Sequence, residues 1–108
     1  MIAEIKKYID DHTCEITFVN EITHIFKIDK NVLAEQFKII YNKSSKAYIL
    51  DKKIEKLIHL LNESGNREIS YYYAYELGFE TSGGLCNLIK RRTGLTFEEF
   101  RNRVLIKD

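Results

Sequence analysis

The chain contains no proline, so no helix is forced to break at one. Cysteine is scarce too: Cys14 and Cys86 stand far apart, without metal-type spacing. A disulfide framework is not expected, and a reducing cytosol suits the chain. His12 and Cys14 form the one close Cys/His pair, so neither a metal nor a cofactor is expected. No apolar run approaches the ~18 residues of a membrane span, and the N-terminus carries no signal-peptide pattern, so no membrane partner is expected. Ser/His/Asp, Cys/His and paired-carboxylate constellations are missing. Gly83-Gly84 is not followed by Gly-Lys-Ser/Thr, so it is no phosphate loop. An enzyme is therefore not expected. Net charge is only +1 and pI is near 7.7. Nucleic-acid-binding domains often exceed pI ~9, so such a role must rest on local patches.

What is present is a chain of 108 residues, enough for one domain or two very small ones. The hydrophobic fraction of 44% allows a core, and the 31% of charged residues mix both signs. Helical periodicity dominates. Ile2, Ile5 and Ile9 share one face of a first helix, broken by Asp10, Asp11 and His12. Thr17 or Phe18 opens a second, with Val19, Ile22 and Phe26 inward. Asp29 is an N-cap for a third, which buries Leu33, Phe37 and Ile40 and stops near Asn42.

A longer helix runs from Ser45 to about Leu61. Its stripe is Ala47, Leu50, Ile54, Leu57, Ile58 and Leu61; Asp51, Lys52, Lys53, Glu55 and Lys56 coat the rest. "NESGN" (Asn62 to Asn66) is a loop. A fifth helix covers Ser70 to Leu77, closed by Gly78, and a sixth covers Ser82 to Thr93, ended by Gly94. Thr96 and Glu99 form a capping box for a last helix through Val104. "CEITFV" (Cys14 to Val19) and "EISYYY" (Glu68 to Tyr73) would read as strands on propensity alone. Their helical neighbours argue against strands there.

The chain also repeats itself. Glu15-Ile16-Thr17-Phe18 aligns with Glu68-Ile69-Ser70-Tyr71, and Phe26-Lys27-Ile28 with Leu77-Gly78-Phe79. Leu33 aligns with Leu85, Phe37-Lys38 with Ile89-Lys90, Asn42 with Gly94, and Tyr48 with Phe100. The offset drifts from 53 to 51 and back to 52. Each copy is a short helix, a turn and a longer helix with a polar outer face, which is the helix-turn-helix pattern. The expected architecture is all-α, with about seven helices in two helix-turn-helix subdomains. These are residues 1–44 and 63–108, joined by a linker helix over 45–62.

"ELGFETSGGLCNLIKRRTGLTFEEFR" resembles the C-terminal half of an AraC/XylS-type transcription regulator's DNA-binding domain. The matching positions are Ala74, Gly78-Phe79, Leu85, Ile89-Lys90, Gly94 and Phe100-Arg101. The first half matches more loosely, through Ile22, Phe26, Ile28, Leu33, Phe37-Lys38 and Tyr48; Lys53-Ile54 matches the linker helix. Phe97 stands where the family usually has proline, and Asn42 where it usually has glycine. The resemblance implies sequence-specific DNA binding for transcription regulation, with both recognition helices in successive major grooves. Double-stranded DNA is the implied partner, RNA polymerase a further one, and the segment is expected to act as a monomer. A helical protein-interaction module on the same fold is the alternative. Whether the chain is a stand-alone regulator or a piece of a longer one stays open.

The resemblance places base contacts at Asn31, Ala34 and Glu35 in the first copy, and at Ser82, Gly83 and Asn87 in the second. Asparagine pairs bidentately with adenine, and a carboxylate accepts from cytosine N4. Glu35 is costly near phosphates, so it contacts a base or lies off the DNA. Phosphate contacts fall to Lys30, Lys38, Lys53, Lys90, Arg91 and Arg92. Two readings of Gly83-Gly84 stand side by side. A bare first turn can bring backbone amides against a phosphate, or the pair merely weakens the helix start. Tyr71, Tyr72 or Tyr75 can reach phosphates, whereas Tyr73 belongs to the core.

Overall fold

A computed structural model describes residues 1–16, 18–65 and 68–106. The expected opening of the second helix at Thr17 and the end of the loop at Asn66 lie outside the described residues. Among them are seven α-helices: α1 (Ile2–His12), α2 (Val19–Phe26), α3 (Lys30–Tyr41), α4 (Ser45–Ser64), α5 (Ser70–Glu76), α6 (Ser82–Thr93) and α7 (Phe97–Ile106). A 3-10 turn, Thr13–Glu15, follows α1. No described residue is in a strand, so the described residues of both strand-prone segments yield to their context as expected. The chain divides within α4 into two compact units, Met1–Lys53 and Ile54–Asp108.

Unit 1 closes over Ile5, Ile9, Ile16, Ile22, Leu33, Phe37 and Ile49, with Tyr8, Val19, Phe26 and Tyr48 packed at the edge. In unit 2 the buried set is Leu57, Leu61, Tyr73, Ala74, Leu77, Leu85, Leu88, Ile89, Phe97 and Phe100. Ile40 is a correction: it is 54% exposed. It lies in the last turn of α3, where Tyr41 instead packs on Phe37, with ring centroids 4.8 Å apart.

The α4 stripe is also corrected. Its most buried residues are Ser45, Ile49, Lys53, Leu57 and Leu61, each four apart. That spacing is the i, i+4 row of a helix face. Ala47, Leu50, Ile54 and Ile58 are only half-buried and flank the row. The helix also continues through Asn62 and Glu63 to Ser64, so "NESGN" is mostly its last turn rather than a loop.

The internal repeat is written into the backbone. Lys27 and Gly78 both take left-handed φ values, 52° and 84°, and so do Asn42 and Gly94, at 66° and 77°. After the first pair, Ile28 N–H donates to Thr23 O at 3.2 Å and Phe79 N–H to Ala74 O at 2.9 Å. At the second pair, Asn42 N–H donates to Lys38 O and Gly94 N–H to Lys90 O, both at 2.8 Å. These bonds release the chain from α2, α3, α5 and α6 at matching points. Thr96 and Glu99 form the expected reciprocal cap of α7, at 2.9 and 3.2 Å.

Candidate nucleic-acid interface

In unit 1 the short α2 and the longer α3 are joined by the left-handed Lys27. Burial of Leu33 and Phe37 turns the opposite face of α3 outward. Lys30, Asn31, Ala34, Glu35 and Lys38 are all exposed on it. The start of that helix is already satisfied. The Asp29 carboxylate accepts from Asn31 N–H at 2.8 Å and from Val32 N–H at 3.2 Å. An anionic cap that occupies two amides leaves this terminus unsuited to a phosphate, so α3 presents side chains rather than backbone.

In unit 2 the same arrangement carries different chemistry. Gly78 joins α5 to α6, and burial of Leu85, Leu88 and Ile89 exposes Gly83, Asn87, Lys90, Arg91 and Arg92, with Ser82 half-buried. The cap is neutral: Thr81 Oγ1 accepts from Gly84 N–H at 3.2 Å. Neither Gly83 nor Gly84 takes a left-handed φ, so neither is required by backbone conformation. A methyl at Gly83 would sit 3.6 Å from Thr81 Oγ1, in ordinary contact, whereas one at Gly84 would press on Phe79 Cδ1 at 3.3 Å. Gly84 is thus a packing residue, and Gly83 offers open backbone. Tyr71 and Tyr75, 65% and 74% exposed and one turn apart, edge a small cleft with Phe79, Thr81 and Ser82 beside the start of α6. Tyr73 is fully buried, with its hydroxyl 2.5 Å from that of Ser64.

Lys53 is the clear departure among the expected phosphate contacts. It is 2% exposed, and its amine donates to Thr13 O at 2.8 Å. Burial pushes that amine down to about 8, while Cys14 and Glu21 pull it back up. A charge pattern assigns a lysine to solvent, but the buried row of α4 passes through this position. Its stem fills the row and its head ties down the 3-10 turn. Arg101 does comparable work in unit 2. It is 6% exposed, donates to Glu68 O, and pairs with Glu98 Oε1 at 2.6 Å. Its motif position is legible in the sequence, but its anchoring role is not. A second overlooked signal is plain in the letters. Every arginine of the chain lies in unit 2, and the cations of unit 1 are all lysines.

No family model matches the chain. A curated relative, an "uncharacterized HTH-type transcriptional regulator in cgkA 5'region" from Pseudoalteromonas carrageenovora, is 26% identical over 94 residues, covering 87% of this chain and 54% of the relative. The chain thus spans about half that relative's length. Solved structures agree on the fold. The C-terminal domain of AraT, a response regulator from Geobacillus stearothermophilus, superposes with a TM-score of 0.80 at 16% identity, over 94% of this chain and 84% of that one. The DNA-binding domain of AdpA in complex with a target DNA gives 0.73 at 12% identity, over 94% and 90%. A probable AraC family regulator from Rhodopseudomonas palustris gives 0.72 at 16% identity, over 95% of each chain. The fold is the AraC-type DNA-binding fold that the sequence resemblance implies.

Proposed function

We propose that this chain binds double-stranded DNA as the DNA-binding module of an AraC-type transcription regulator, and that its two units divide the labour. The observation that carries the reading is the pair of twelve-residue helices, α3 and α6, each released into position by a left-handed turn and each exposing a polar face. On this reading α3 reads bases through Asn31, Ala34 and Glu35, flanked by Lys30 and Lys38. Helix α6 holds the backbone through Lys90, Arg91 and Arg92, with Ser82 and Gly83 amides against a phosphate and Asn87 as its one long reader. Phosphate contacts position and base contacts specify, so the two roles are separable. The AdpA domain, solved with its target DNA, supports this use of the fold.

The same reading makes residues 1–44 and 63–108 the two DNA-contacting subdomains and 45–62 their linker. It has one chain occupying one site in the cytosol, within reach of RNA polymerase at a promoter. Among the described residues, no helix is long and apolar enough to cross a membrane. Selection from random duplex pools at two salt concentrations tests the proposal. A consensus site, bound by one chain and weakened by salt, is the expected result; retention without any consensus would contradict it. A helical interaction module is the second reading. It draws on Ile39 and Ile40, 71% and 54% exposed on α3, and on Ile25, 50% exposed on α2.

A further inference from the structure

Apolar side chains on a solvent face are ordinary when single. Val32 is less ordinary because of its place. It is 46% exposed in the first turn of α3, while its neighbour Leu33 is fully buried. Residues at the start of a recognition helix are the ones that meet base edges. Val32 lies three residues from Glu35, and Asn31 lies four from Glu35, so the three side chains share one patch of helix surface. Asp29 fixes that turn through its bonds to the Asn31 and Val32 amides. The backbone beneath the patch is therefore set before any partner arrives.

We propose that Val32 reads the C5-methyl of a thymine in the major groove, beside exocyclic amino groups read by Asn31 and Glu35. This rests on the DNA-binding reading of α3 and names the bases it selects. Each side chain has one complementary edge. An apolar group suits the thymine methyl, an asparagine suits adenine N6 and N7, and a carboxylate accepts from an amino group. Guanine presents only acceptors, O6 and N7, toward that carboxylate, and a carboxylate donates nothing. Unit 1 also has no arginine fork for guanine; its Lys30 and Lys38 flank the patch as point charges. Ala34 has one side-chain carbon and reaches less far. Ile39 and Ile40 lie in the later turns of α3, away from the end that meets bases. Unit 1 thus selects a thymine-containing step and disfavours guanine at the position facing Glu35.

The test begins with the site selected from random duplexes. Each thymine in it is replaced singly by deoxyuridine, which removes only the methyl group. One replacement should weaken binding of the unmodified protein about three- to fivefold, the effect of one buried methyl-sized group. Val32→Ala should bind the parent site weaker by the same factor and ignore that replacement. Circular dichroism should show this variant fully folded, since alanine favours an exposed helical position. If no deoxyuridine replacement matters, or if Val32→Ala stays equally sensitive to it, the Val32 assignment is overturned while DNA binding stands. If the protein selects no site at all, the DNA-binding reading itself falls, and this assignment with it.

Discussion

Helices α3 and α6 have the same length and the same left-handed exits, yet their starts are chemically opposite. Helix α3 begins under a carboxylate, Asp29, and continues with an amide, a valine and an acid. Helix α6 begins under a neutral hydroxyl, Thr81, continues with two glycines, and ends in three cations. A duplicated backbone therefore fixes where a helix points and leaves its surface free to specialise. The arginine distribution follows the same division. Unit 2 holds all the guanidinium groups, a chemistry suited to bidentate pairing with phosphate, and unit 1 has only lysines, which act as point charges.

The units also differ in the cation each one buries, and that gives the largest expected effects. Arg101→Ala should destabilise the protein by about 3–4 kcal/mol, because a buried side chain leaves a void and the Glu68 carbonyl loses its donor. Denaturant melting reads this directly. A loss near zero would mean that the buried guanidinium anchors nothing.

Lys53 should show itself through pH. Its folded amine titrates near 8, against an ordinary value of 10.5. Between those values the unfolded chain holds a proton that the folded chain does not. Stability should therefore rise with pH across that window, by up to about 3.5 kcal/mol at roughly 1.4 kcal/mol per unit. Below about 8 both states are protonated and the folded state bears the whole cost of the buried charge. Lys53→Met should flatten the rise, whereas Lys56→Met, on the exposed side of α4, should not. An unchanged slope in Lys53→Met would remove the burial account.

The glycine pair gives a smaller, signed effect. Gly83→Ala should stabilise the fold by about 0.5–1 kcal/mol, since φ is unstrained and the methyl meets only ordinary contact. Gly84→Ala should gain less or lose, because Phe79 must give way. DNA affinity should fall in Gly83→Ala despite the added stability if α6 lays its backbone on a phosphate. Equal affinity would leave only the side chains of α6 in contact.

Much of this was legible in the letters, for physical reasons that differ by residue. Gly78, Gly94 and Asn42 announce helix ends because few residues tolerate left-handed backbone. Asp29 and the Thr96/Glu99 pair announce helix starts because their oxygens match orphan amides. Lys53 was illegible because burial of a lysine depends on one distant carbonyl, that of Thr13, which no local pattern encodes. Ile40 misled because periodicity has no knowledge of where the covering element stops. The Asn31 and Glu35 positions followed from the family resemblance and one exposed helix face. Val32 was passed over because an apolar letter reads as core until its exposure is known.

The division of labour between the two units is tested most directly by salt titration of three proteins on the selected site and on random duplex. Asn31→Ala should weaken binding to the selected site by about 1–3 kcal/mol, leave random duplex unaffected, and keep the slope of log K against log salt unchanged. Arg91→Ala should weaken both duplexes alike and reduce that slope by about one unit. The account is contradicted if Arg91→Ala relaxes base preference while Asn31→Ala changes only the salt slope, or if neither variant differs from the parent protein.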